Sequence, residues 1–278
     1  MNEKITQLDT NYAIYYQNKR HNKKNAFSRY VQDQLDIGLT YSVTEFIIKT
    51  ICDEWPECFA WEPGEITSTL TNHLTTETLA FDTANLTLLS SSIEVYQNGL
   101  DALLSQIPED LSIIECDASF DKIRYLHLCS PNFWSAEEKI GNSFITAHEA
   151  VPGMEKINDN HSALNELLKT SGPFQRFTWG LTTNRYLNQH PKKRNRLNAR
   201  LFDDFNQIFL RVERQVTVPF YKHNAYLFFI RTYVTSIKDL SKTEKLILIK
   251  AVESMPSEIT LYKGLAGKQE TIINNLSR

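Results

Sequence analysis

Two runs of β-branched and aromatic residues, Gln207–Val218 and Ala225–Thr235, stand only six residues apart, separated by Pro219–Asn224. Runs of this kind, so closely linked, pair antiparallel. Each is about twice the usual strand length, so together they commit the chain to a sheet. Their faces then need cover. Leu111–Cys116 and Lys122–Cys129 predict two more strands flanking a turn at Asp117–Asp121, and Gln175–Thr182 predicts another.

Helical periodicity marks the flanks. Asp36–Glu54 places Leu39, Val43, Phe46, Ile47 and Ile51 on one side and stops at Trp55-Pro56. Glu94–Ser105 is a second amphipathic segment. Ser135 with Glu138 predicts a capping box on a short helix. Asn158–Lys169 reads as a helix ending before Gly172-Pro173, and Ser241 with Glu244 caps another that runs to Glu253. Ile259–Tyr262 reads as a short strand before a final helix. Helices around a mainly antiparallel sheet make the expected class α+β.

At 278 residues and 41% hydrophobic, the chain can bury one large core or two small ones. Residues 1–30 are polar and read as an arm, ordered only if docked. The expected division is therefore 1–30 as the arm and 31–278 as one domain. A net charge of −3 gives no reason to expect a nucleic acid. No apolar run approaches the roughly 20 residues of a membrane span, and nothing at the N-terminus reads as a leader, so the expected compartment is cytoplasmic. The cysteines Cys52, Cys58, Cys116 and Cys129 lack paired metal spacing and are expected to be reduced thiols.

Two constellations carry possible chemistry. In Pro131–Gly153, His148 stands just before a Val-Pro-Gly turn. A histidine there can present one ring nitrogen while the other is oriented by backbone or by a carboxylate such as Glu149. From spacing alone, a hydrogen bond to the turn explains a lone histidine more readily than a ligand role does. The second constellation is arginine-rich: Arg176 with Trp179, Arg211, Glu213 and Arg214, then Arg231 with Tyr233. Strand alternation sends Arg211 and Glu213 to one face and Arg214 to the other. Buried arginines need anionic partners, from Glu213 or from a ligand. Lys192, Lys193, Arg194, Arg196 and Arg200 form a basic patch, a solvated face or a dock for an acidic electron-transfer partner. His127 in mid-strand reads as a packed histidine. No P-loop, G-x-G-x-x-G or G-x-S-x-G occurs.

These tracts resemble the haem-dependent oxidative N-demethylase family. The anchors, spread over Gly99 to Gly264, are Pro108–Leu111, Cys129–Trp134, Glu138-Lys139-Ile140-Gly141, His148–Gly153, Arg176–Trp179, Arg211–Gln215 and Leu227–Tyr233. The resemblance implies a PAS-like curved antiparallel sheet flanked by helices, holding haem b with its iron on His148. It implies a monooxygenase that uses O2 to hydroxylate an N-methyl carbon of a small amine, the carbinolamine then collapsing to an amine and formaldehyde. Electrons would come from a separate reductase or ferredoxin. Lys139, Arg176, Arg211 and Arg214 are the expected cofactor contacts, and Glu213, Trp179 and Tyr233 the expected substrate-side residues. Ala150 and Thr178 replace a proline and an asparagine of the family pattern, so the substrate stays open. A haem-based gas or redox sensor, or a haem-binding protein without turnover, is the alternative of another class.

Overall fold

The structure, a computed structural model, describes residues 4–117, 120–154, 160–194, 200, 202 and 207–277. The long hairpin forms as β9 (Phe209–Phe220) and β10 (Ala225–Ser236), paired over their whole length. Asn224 turns the chain in a left-handed conformation with φ 48°, which asparagine tolerates. Around the hairpin stand β1 (Val31–Asp33), β6 (Asp110–Cys116), β7 (Asp121–His127) and β8 (Phe174–Thr182). The sheet order is β1-β7-β6-β10-β9-β8, antiparallel throughout. The class is α+β.

One face of this sheet supplies Leu111, Ile113, Tyr125, Val216, Val218, Leu227 and Phe229 to the largest core cluster. It is covered by α2 (Ile37–Glu54) and α3 (Gly99–Ser105). Asp36 caps α2 by accepting the Leu39 N–H at 2.8 Å. Leu39, Val43, Ile47, Ile48 and Ile51 are buried along its inner side, each worth roughly 1.5–3 kcal/mol of burial. The same core takes Phe59, Leu70, Leu79 and Phe81 from a four-stranded meander, β2 (Phe59–Glu62), β3 (Thr67–Asn72), β4 (Glu77–Asp82) and β5 (Leu88–Ser91).

The other face carries Ile114, Leu126, Tyr226, Phe228 and Ile230. It packs with Trp134, Ala136, Ile140, Ala147 and Leu168 from the helical excursion between β7 and β8. That excursion contains α4 (Ala136–Lys139), α5 (Phe144–His148) and α6 (His161–Thr170). At the C-terminus stand α7 (Lys242–Glu253), α8 (Ser257–Tyr262) and α9 (Gln269–Leu276); α7 and α9 build a third cluster through Leu248, Val252 and Ile272, with Leu265 from the turn before α9.

The polar N-terminal segment is docked. Helix α1 (Tyr12–Ala26) buries Tyr12, Tyr15, Tyr16, Lys19, Asn22 and Lys23, a stripe at three- and four-residue spacing. Its tips are all engaged: Tyr12 Oη donates to Gln106 O and Lys19 Nζ donates to Leu104 O at 2.6 Å.

Several expected elements differ. Ile259–Tyr262 is part of a helix, not a strand: the Thr260 N–H bonds the Pro256 carbonyl at 2.9 Å, closing a helical turn that outweighs the β-branched composition. The segment expected from Glu94 becomes helical only at Gly99, because Asn98 caps there and accepts the Asp101 N–H. Ser135 opens α4 without a side-chain cap bond. The four cysteines are free thiols. Residues 158–159 of the helix expected at Asn158–Lys169, and Arg196 of the basic patch, lie outside the described residues.

Candidate functional site

Helix α5 is short and fixed at its head. Ser143 Oγ accepts the Thr146 N–H at 3.0 Å, and Asp121 Oδ2, at the start of β7, accepts the Phe144 N–H at 2.6 Å. His148 is its last residue. The His148 ring lies 4.3 Å from the Phe144 ring and 4.8 Å from the Trp134 ring, centroid to centroid. Its Nδ1 is 2.8 Å from the Phe144 carbonyl oxygen. A carbonyl only accepts, so Nδ1 carries the hydrogen and Nε2 keeps its lone pair. Burial pushes the His148 pKa down to about 4; the bond to Phe144 opposes the shift, and the cations Arg176 and Lys139 add to it. The ring is therefore neutral at physiological pH and, among the described residues, its Nε2 is left to bind a metal.

The sheet face opposite follows from register. Arg176, Gln215 and Ile230 align across β8, β9 and β10, and Thr178, Glu213 and Thr232 form the next row. Ile230 and Phe228 pack in the cluster that holds Ala147 and Trp134, so this is the His148 side. A polar chain runs across it. Arg176 Nε donates to Gln215 Oε1 at 2.7 Å, Gln215 Nε2 donates to Glu213 Oε2 at 3.1 Å, and Glu213 Oε1 lies 3.6 Å from Arg211 Nε.

Of the residues expected from sequence, the structure brings His148, Lys139, Arg176 and Glu213 to this side. Arg211 lies on it too, but its guanidinium is buried and donates to Leu187 O at 3.0 Å and to Ser130 O at 2.5 Å. It ties loops to the sheet. Arg214 points to the opposite face, donating to Gln175 and to the carbonyls of Lys4 and Ile5. Tyr233 is on that face as well, bonded to Gln7. Trp179 lies beneath Lys263, 5.1 Å from its ring centre, and packs with the C-terminal cluster.

Sequence reasoning missed Gln215 and the flanking rings Trp134 and Phe144. It also missed Tyr226, 1% exposed, whose hydroxyl has no partner among the described residues. Strand alternation with Phe228 was the signal for Tyr226.

A second group of ligand-type atoms, from Asp110, His127 and Cys129, lies within 4.8 Å and is wholly buried. Both Asp110 oxygens already accept backbone N–H bonds, from Cys129 at 2.9 Å and Ser130 at 2.6 Å. The Lys19 ammonium is 3.9 Å away and supplies the cation. Burial pushes the Cys129 thiol up to about 12, so it is no thiolate. This is a core network rather than a metal centre.

The family model for haem-dependent oxidative N-demethylase, alpha subunit-like proteins matches residues 1–273. The chain belongs to this family. The donor set suits the haem that the family name implies: a neutral histidine with its outer nitrogen free, aromatic rings against it, and cations within electrostatic reach. Among the described residues, no helix is long and apolar enough to cross a membrane.

Proposed function

We propose that this haem-dependent oxidative N-demethylase family member removes an N-methyl group from a small amine, with His148 Nε2 as the ligand to the iron of haem b. The observation that carries the reading is the Nδ1–H donated to Phe144, which fixes the metal-binding tautomer on a ring kept neutral by burial. Haem, when bound, supplies one-electron iron chemistry and activation of O2, with the N-methyl carbon leaving as formaldehyde.

The chain's own residues do the rest. Arg176 and Lys139 offer cations to the propionates. Arg176 is held in direction by Gln215. Glu213 offers a carboxylate that suits a protonated amine. Phe228, Ile230 and Trp134 exclude water on the same side. A PAS-like sheet is supported by the antiparallel arrangement of β6 to β10, in the order β7-β6-β10-β9-β8, with α4 to α6 inserted between β7 and β8. On this reading residues 31–278 act as one haem-binding domain. Electrons come from a separate reductase or ferredoxin, and the surface around Lys192 and Lys193 is its dock.

The test is reconstitution with haemin, followed by a formaldehyde assay with a chemical reductant, O2 and N-methylated amines. One haem per chain and formaldehyde release are expected. Loss of both in His148→Ala supports the ligand assignment. Unchanged haem content and spectrum in that variant would overturn it, and haem binding without turnover would point to a sensor.

A further inference from the structure

Asp121 is buried at the first residue of β7, outside every motif that marks the site. Its two oxygens reach different helices. Oδ2 accepts the N–H of Phe144, the first residue of α5, at 2.6 Å. Oδ1 lies 2.8 Å from Nε2 of His161, the first residue of α6, a nitrogen that also lies 3.2 Å from Asn165 Nδ2. Beside it, the Ile123 N–H bonds Asn142 O at 2.9 Å and the Gly141 N–H bonds Ile123 O at 2.8 Å. One carboxylate on a sheet strand therefore holds the head of α5 by a hydrogen bond and stands beside the head of α6, and His148 lies in the helix it holds.

Phe144 is the link that matters. The residue whose N–H Asp121 holds is the residue whose carbonyl takes the His148 Nδ1–H. Displacing the head of α5 displaces that carbonyl, and with it the ring plane and the direction of Nε2. Groups one step behind a metal ligand typically govern its affinity by tenfold to a hundredfold, because they fix tautomer and orientation.

We propose that Asp121 is a positioning residue for His148, setting the aim of Nε2 through Phe144. The proposal rests on His148 as haem ligand.

The experiment is haem titration of the full chain with Asp121→Ala and Asp121→Asn, alongside wild type and His148→Ala. Three quantities are read: haem dissociation constant, absorption spectrum of the bound haem, and its reduction midpoint potential. Expected is a loss of affinity of about tenfold to a hundredfold in Asp121→Ala, with a spectrum moved toward that of His148→Ala and a shifted potential. A merely structural role would lower the melting temperature and leave the spectrum and potential of the bound haem untouched. Asp121→Asn keeps an acceptor for Phe144 and puts an amide in place of the carboxylate, so an intermediate loss is expected; it also serves if Asp121→Ala does not fold. Wild-type affinity, spectrum and potential in the variants would overturn the role of Asp121 while leaving His148 as ligand. Wild-type behaviour of His148→Ala would instead overturn the ligand assignment and this proposal with it.

Discussion

Arg211 and Arg214, three residues apart on one strand, point to opposite faces of the sheet and bind opposite sides of the protein. Arg211 holds the carbonyls of Ser130 and Leu187 on the His148 side. Arg214 holds the carbonyls of Lys4 and Ile5 on the other. Both are buried, so each guanidinium is a cation whose loss leaves carbonyl acceptors stranded.

Arg211→Ala is expected to destabilise the fold by about 3 kcal/mol or more, the scale for removing one member of a buried charged network. Arg214→Ala should instead loosen residues 4–9, because two of its three partners are there. Hydrogen exchange separates them: faster exchange near Ser130 and Leu187 in the first, near the N-terminus in the second. The same exchange pattern in both variants would contradict this division.

Glu213 is the one carboxylate in the polar chain that runs from Arg176 through Gln215. If it meets the ammonium of a cationic amine, Glu213→Gln should raise KM by at least about tenfold, since a hydrogen bond to a charged group is worth roughly 1.5–3 kcal/mol. Haem content should stay as in wild type. A raised KM that disappears for neutral N-methyl substrates would strengthen the assignment; an unchanged KM for cationic ones would remove Glu213 from substrate binding.

Lys19 anchors α1 to the core. Its side chain is buried, donates to the carbonyls of Leu104 and Glu109, and faces Asp110 at 3.9 Å. Lys19→Ala would take this donor from both carbonyls and the cation from Asp110, and should cost about 3–5 kcal/mol. Chemical denaturation measures it. A loss below about 1 kcal/mol would show that the helix is an ornament on an independent body.

The legible parts of this molecule were those whose pattern is apolar. The β9–β10 hairpin and the inner side of α2 stand out because their apolar residues repeat at two and at three or four. Helix α1 did not, since its buried stripe is written in tyrosines, lysines and an asparagine whose polar tips find partners only after folding. The β2–β5 meander was hidden for a related reason. Its strands are threonine-rich, and Glu77, wholly buried, points inward to Tyr16, Tyr96 and Gln106. At the candidate site, the motifs drew attention to His148 and Arg176, and the structure places them on one side of the sheet. Arg214, Tyr233 and Trp179 sit in equally marked motifs, yet one residue of register decides the face. Asp121 has no motif at all; only the meeting of two helix heads on one strand reveals it.

Two buried groups should give the protein opposing responses to acid. Burial lowers the His127 pKa to about 3, against an ordinary value of 6.5 in the unfolded chain. As pH falls from 6.5 toward 3, the unfolded chain takes up a proton that the folded protein refuses, so His127 costs stability across that window. Glu109 has the other sign. Burial raises it to about 7 from 4.5, so between pH 7 and 4.5 the folded state keeps a proton that the unfolded chain releases, and stability grows as pH falls. Each slope is at most about 1.4 kcal/mol per pH unit. Single variants separate the two. Relative to His127→Gln, wild type should lose stability from pH 6.5 to 4; relative to Glu109→Gln, it should gain stability from pH 7 to 4.5. Denaturant midpoints across this range measure both differences, and a pH-independent difference in either variant would refute its assignment. Haem affinity offers a third readout. Because burial holds the His148 ring neutral down to about pH 4, affinity should stay flat from pH 7 to 5 and fall only below that, whereas a solvent-exposed histidine ligand would begin to lose haem near pH 6.5.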